Sequence, residues 1–298
     1  MSGLSANRAK LWDSLWTAST DEVRHLLSSL PREQLFERDK FGNGLLHEGA
    51  TQGREHVVRL LCEARADVSV TNEEGKTALH VAVMRGREAV VRELLLFDAD
   101  ANAQNNAGWS PLHYAAFQGD EAMGRTLLQG GADWAATKEG GECPLHVASW
   151  ACNDAMVRVL LRAGAGTEAL DNHGRTALHH AASECHESCV RLLLNARACP
   201  APGDEEGETP LHMSARRGAL GVVRSLCEAG ADAEAPNARG ERPLNVSQHK
   251  VAAVLRKVAT LRARAVAFAM GLHARLGAAS LLAALEPELA RAIAAGGV

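Results

Sequence analysis

Aromatic side chains are scarce in this 298-residue chain: five Phe, five Trp and a single Tyr, 4% of all residues. A β-sandwich or barrel would use many more of them, with Val and Ile, to fill the space between its sheets. Ala, Leu and Gly are abundant instead, a composition that suits closely stacked helices. Long apolar runs are missing as well. No uncharged stretch approaches the ~18 residues of a membrane span, and Leu276–Leu285 is too short. The N-terminal MSGLSANRAKLWDSLW has no continuous apolar segment of the kind that opens a secretory signal. The seven cysteines show no CxxC spacing and cannot all pair, which predicts free thiols in the cytoplasm, or in the nucleus. Neither sign of charge dominates, the formal net charge being -4, so nothing electrostatic points to nucleic acid.

Enzyme signatures dissolve when their spacing is checked. Gly75-Lys76-Thr77 ends like a phosphate loop, but Val70 occupies the place of the upstream glycine. His47-Glu48 opens like a zinc-protease helix, yet Thr51 stands where the second histidine belongs. No G-x-S-x-G elbow is present. The densest group of metal-ligand residues lies in TALHHAASECHESC, where His179, His180 and His186 accompany Cys185 and Cys189.

A repeat accounts for most of that group. His47, His80, His113, His146, His179 and His212 follow one another at intervals of 33 residues, with Asn245 in the next slot. Gly42, Gly75, Gly108, Gly141, Gly174, Gly207 and Gly240 keep the same step, as do Leu61, Leu94, Leu127, Leu160, Leu193 and Leu226. Each unit reads as turn, short helix, turn, second helix, loop. In GWSPLHYAAFQGDEAMGRTLLQGGAD, Ser110 caps a helix, Pro111 suits its first turn, and Gly119 ends it in a left-handed conformation. Two helices that short cannot bury their apolar faces alone, so neighbouring units must stack. Stacked repeats lie roughly 8–10 Å apart, whereas two ligands of one zinc lie within about 4 Å of each other. One histidine per repeat therefore cannot build a shared metal site. Each imidazole is expected to bond the nearby Thr or Ser hydroxyl and a loop carbonyl. No metal, cofactor or catalytic residue is assigned.

The cysteines fit scaffold slots. Cys189 stands where other units have Val57, Val90 and Val222, and Cys62 and Cys227 take leucine positions. Cys152 and Cys185 replace the turn glycine of Gly53, Gly86, Gly119 and Gly218, so both are expected in a left-handed backbone.

The 33-residue period and the TPLH signature, unaltered at 209–212 and varied as TALH at 77–80 and 176–179 and SPLH at 110–113, resemble the ankyrin repeat. The resemblance covers residues 10–258. It implies an all-α solenoid of stacked helix–turn–helix units with β-hairpin loops, plus a C-terminal helical extension. The divisions are capping helices at 1–41, six repeats at 42–239, a truncated cap with a shortened inter-helix turn at 240–260, and a helical tail at 261–298. It also implies a non-catalytic scaffold that binds a protein or peptide on loop tips and the first-helix face; a monomer with no nucleic-acid partner and no transmembrane segment is expected, while the basic face of the tail leaves a membrane surface or acidic partner open.

The family's contact positions carry over to Phe41, Met84, Arg85, Trp109, Tyr114, Phe117, Glu142, Trp150, His180, Arg216 and Arg217. Four of the eleven aromatics, Trp109, Tyr114, Phe117 and Trp150, fall at these variable places and are expected to line adjacent rungs as a binding hot spot. In the tail, Val251, Val254, Leu255, Val258, Leu261, Ala265, Phe268 and Leu272 recur at helical spacing beside basic residues, predicting an amphipathic helix that caps the stack. The layout is also similar to substrate receptors of cullin-type ubiquitin ligases. TLRARAVAFA has the leucine spacing of an elongin-binding box with Ala265 in place of its cysteine, and LLAALEPELARAI resembles the opening of an F-box helix. The alternative function is therefore substrate recognition for such a ligase, with the tail docking its adaptor.

Overall fold

The structure, a computed structural model, describes residues 18–29, 37–248 and 250–261. The helix expected ahead of residue 18 and the adaptor-like segments of the tail, save Thr260 and Leu261, lie outside those residues. The chain divides into two compact units, Met1–Pro144 and Leu145–Val298. In the first, α1 (Thr20–Ser29) precedes three helix pairs: α2 (Leu45–Gln52) with α3 (Glu55–Glu63), α4 (Ala78–Met84) with α5 (Glu88–Leu96), and α6 (Pro111–Gln118) with α7 (Glu121–Gln129). The second unit contains α8 (Pro144–Trp150) with α9 (Asp154–Arg162), α10 (Ala177–Ser183) with α11 (Glu187–Asn195), and α12 (Pro210–Arg217) with α13 (Leu220–Glu228). A last helix, α14, covers 250–261.

Within each unit first helices pack on first helices and second on second, α2 on α4 on α6 and α9 on α11 on α13. The packing buries the periodic leucines: Leu61, Leu94, Leu127, Leu160, Leu193 and Leu226 have no exposed surface. Each such side chain contributes about 1.5–3 kcal/mol, and only the neighbouring repeat supplies the other wall of its pocket. Alanines at the step Ala82, Ala115, Ala148 and Ala181 are also fully buried, which lets successive first helices approach closely.

The histidine ladder does more than the sequence predicts. Nδ1 of His47, His80, His113, His179 and His212 accepts the backbone N–H three residues earlier, at 3.0–3.2 Å from Gly44, Thr77, Ser110, Thr176 and Thr209. This bond satisfies an orphan donor at the helix start. Nε2 then donates to the next repeat, and in His146 it also reaches the loop carbonyl of Ala169 in its own repeat at 3.0 Å. The acceptors are the carbonyls of Lys76, Trp109, Glu142, Arg175, Glu208 and Glu241, at 2.8–3.1 Å. The neutral tautomer with its proton on Nε2 satisfies both ends. Asn245, in the seventh slot, keeps the capping half: its Oδ1 accepts Arg242 N–H at 2.8 Å.

The expected β-hairpins are turns. Among the described residues the backbone forms one isolated bridge, Thr71 with Thr77, and no strand. An Asp or Asn side chain folds six of the seven tips in place of ladder pairing, Lys138 standing in that slot at the other. Asp39, Asn72, Asn105, Asp171, Asp204 and Asn237 each accept, on Oδ1, the N–H groups two and four residues on. A side chain that mimics a backbone carbonyl tightens the tip until too few residues remain for a strand pair.

The last unit differs from its expected form. Its first helix contracts to a turn at 243–246, and the inter-helix turn expected to be shortened includes residue 249, outside the described residues. Gln248 N–H bonds Ala215 O at 3.4 Å, and α14 buries Val251, Ala252 and Leu255 while exposing Arg256 and Lys257. As far as residue 261, the amphipathic helix closes the core of its unit.

Between the two helices of a pair the chain turns through a left-handed residue: Gly53, Gly86, Gly119 and Gly218 at φ +66 to +75, but Cys152 at φ +59 and Cys185 at φ +64. A side chain held there costs about 1–2 kcal/mol, offset in part by the greater freedom of glycine in the unfolded chain. Cys185→Gly is therefore expected to stabilise the protein by about 0.5–1 kcal/mol. A urea midpoint that does not rise would contradict strain at this turn.

Candidate protein-binding site

Trp109, Tyr114 and Phe117 come together on the first unit for a reason local to one helix. Ser110 is the N-cap of α6, so Trp109 immediately precedes the cap and Tyr114 is the fourth helical residue. Apolar groups at those two places pack as a hydrophobic staple. The rings meet with centroids 5.0 Å apart. Phe117, three residues further on, lies on the same face and meets Trp109 edge-on at 6.1 Å. No other repeat has an apolar pair at staple positions: Asn43/Glu48, Lys76/Val81, Glu142/Val147, Arg175/His180 and Glu208/Met213.

Polar neighbours hold the cluster. Asn105 Nδ2 donates to Tyr114 Oη at 2.8 Å, and burial raises this phenol above its ordinary range, so it stays neutral. Lys76 Nζ lies 5.9 Å from the centre of the Tyr114 ring and Lys138 Nζ 5.8 Å from that of Trp109, both within cation–π range. Glu142 has two roles there. Its carboxylate pairs with Lys138 at 2.8 Å, and its carbonyl receives the His113 rung. Phe117 is 46% exposed, the most open ring of the three, so the cluster presents apolar surface to solvent.

The other contact positions are dispersed. Phe41 stands 56% exposed at the first tip with Lys40 Nζ 4.9 Å from its ring. Met84 is half-buried and its carbonyl accepts from Gln118, whereas Arg85 is exposed. Trp150, 48% exposed at the end of α8, belongs to the second unit, and its carbonyl accepts His186 Nε2 at 3.0 Å. His180 is half-buried, with Nε2 bonded to the buried Asp171 carboxylate at 2.8 Å. Arg216 pairs with Glu208 at 2.7 Å and Arg217 with Glu184 at 3.7 Å. The histidines of TALHHAASECHESC thus have three separate destinations: His179 in the ladder, His180 on Asp171 and His186 on Trp150.

Sequence reasoning missed the Asx side chains that shape six of the tips, although their signal was present: Asp39, Asn72, Asn105, Asp171, Asp204 and Asn237 keep the 33-residue step, interrupted only by Lys138. Placement of lysines over the rings had no such signal, because Lys76 and Tyr114 belong to different repeats and Lys138 lies 29 residues beyond Trp109.

No helix among the described residues is long and apolar enough to cross a membrane. The family model for ankyrin repeats matches in three copies, over residues 15–105, 89–171 and 145–237. Among solved structures, the ankyrin repeat domain of Bcl-3, described as a unique member of the IkappaB protein family, aligns at a TM-score of 0.67 and 31% identity. That alignment covers 73% of this chain and 100% of the Bcl-3 domain. No curated protein matches the sequence. Period, signature, helix pairs and these matches agree: the chain belongs to the ankyrin-repeat family, whose members are protein–protein interaction modules.

Proposed function

We propose that the chain is a non-catalytic scaffold that holds a partner protein or peptide at Trp109, Tyr114 and Phe117. The observation carrying this reading is that three aromatics meet where every other repeat does without an apolar pair. The scaffold itself needs only a capped helix at that place, and the Ser110–His113 pair already supplies the cap. Interface hot spots are rich in Trp and Tyr because a large ring removes much apolar area from water at little entropic cost. The seven free thiols support placing the protein in the cytoplasm or nucleus.

Affinity purification with the wild type and a Trp109→Ala/Phe117→Ala variant identifies partners that depend on the cluster. A binding isotherm with such a partner is then expected to weaken by about 2 kcal/mol, roughly thirtyfold, for Trp109→Ala. The exposed Phe117→Ala variant separates binding from folding, since its circular dichroism and melting should change little. Unchanged affinity in both folded variants would overturn the assignment of this surface.

A further inference from the structure

One group of potential ligands lies away from the aromatic cluster. In the second unit, Cys152 Sγ, an Asp154 carboxylate oxygen and Cys189 Sγ all lie within 4.8 Å of one another. Cys152 occupies the left-handed turn before α9, Asp154 is the first residue of α9, and Cys189 belongs to α11 of the following repeat. Residues one full repeat apart are too distant to share an ion. Cys189 lies one repeat plus four residues beyond Cys152, and that offset brings it back to the preceding turn.

The scaffold does not account for the trio. Four other repeats place glycine at the Cys152 position, where the backbone is left-handed, and the others place Val or Met at the Cys189 position, where the side chain is fully buried. At equivalent junctions the three residues read Gly119, Glu121 and Met156, or Cys185, Glu187 and Val222, so two thiols and a carboxylate coincide at a single junction. Asp154 is held in place: its Oδ1 accepts Ser188 Oγ and Cys189 Sγ, each at 2.9 Å. A carboxylate oriented by a neighbouring hydroxyl is the arrangement that supports a metal ligand from behind.

We propose that Cys152, Asp154 and Cys189 bind a thiophilic divalent cation of the zinc class. Two thiolates and one carboxylate are a donor set that selects zinc or cadmium over calcium or magnesium. Three protein ligands leave a fourth position for water, which the exposed Cys152 makes reachable from solvent. Binding releases the two thiol protons to solvent and joins the turn before α9 to α11, so the ion bridges two successive repeats.

The test uses the full chain, reduced with a non-thiol reductant and stripped with a chelator, titrated with cadmium and then zinc. The expected result is one tight equivalent by calorimetry, with an ultraviolet sulfur-to-cadmium charge-transfer band and a raised melting temperature. Cys152→Gly and Cys189→Val install the residues other repeats carry, so both variants fold. Each is expected to weaken binding at least about tenfold, as is Asp154→Ala, while Cys185→Gly binds as the wild type does. Equal affinity in the wild type and the Cys152→Gly/Cys189→Val variant would overturn the proposal. So would a reduced protein that binds no cadmium and instead forms a Cys152–Cys189 disulfide on exposure to peroxide.

Discussion

Acidification from pH 7 toward pH 4 is expected to destabilise the protein before its carboxylates titrate, because burial holds the His80 and His179 rings of the ladder neutral. Burial pushes the His80 and His179 imidazoles down to about 4 from an ordinary 6.5, and it lowers His47 as well. Both rings of the first pair are fully buried with Nδ1 accepting and Nε2 donating, an arrangement that has no place for a second ring proton. Well above pH 6.5 folded and unfolded chains are alike in binding no proton at these sites, and the stabilisation is fully present. Between 6.5 and 4 the unfolded chain binds protons that the folded chain refuses, so stability falls with falling pH. Each of the two rings then removes about 3 kcal/mol by the time pH 4 is reached.

Depressed carboxylates such as Asp171 and Glu93 act in a lower window. Their contribution is present above the ordinary carboxylate range and disappears only below it. Urea unfolding at a series of pH values checks the order of events, with midpoints dropping first between 6.5 and 4. His80→Asn isolates one rung. Asparagine caps the helix as Asn245 does, loses the bond to Trp109 O and does not titrate over this range. At pH 7 it is expected to be about 1–3 kcal/mol less stable than wild type, with a shallower pH dependence. A wild-type midpoint that is flat from pH 7 to pH 5 would contradict a ladder held neutral.

Gly108→Ala is expected to be among the most damaging small substitutions at a loop tip. Gly108 has φ +73, and a Cβ built on it would lie 2.8 Å from Glu139 N and 2.9 Å from Lys138 Cα, both backbone atoms of the next tip. Backbone strain of about 1–2 kcal/mol and a steric conflict of about 1–3 kcal/mol act together, for a loss of roughly 3 kcal/mol. Gly86 provides the comparison. It has φ +66, yet a Cβ there meets nothing within 4 Å, so Gly86→Ala carries strain alone and is expected to lose about 1 kcal/mol. Equal losses in the two variants, read from urea midpoints, would show that close approach of successive tips is not what demands glycine. The same approach appears as tip-to-tip bonds, Glu73 N–H to Phe41 O and Asn106 N–H to Glu74 O, both at 3.0 Å.

The binding cluster was only partly legible. Trp109, Tyr114 and Phe117 could be singled out because aromatics are rare in this chain and the repeat register marks their positions as variable. Their union follows from the staple around Ser110, which is local and could have been read from TPLH-type capping alone. The expectation for His180 was less complete: Asp171, nine residues earlier, engages its ring. An Asx residue that closes its own tip was not recognised in the sequence, so neither was its second carboxylate oxygen as a partner.

The sequence by itself determined the repeat, its helix pairs, the capping residues and the left-handed turns, including the strained Cys152 and Cys185. Each of these depends on φ/ψ preference and side-chain reach within a few residues, and so is written in the local order of the chain. Only the tertiary structure decided where the ladder's Nε2 protons go, which tips need glycine for closeness as well as for φ, and that Cys152, Asp154 and Cys189 converge. Those outcomes depend on how far one repeat advances when it stacks on the last. That advance is set by how Leu and Ala pack across the junction, and it brings residues from successive repeats within hydrogen-bond or metal-ligand distance.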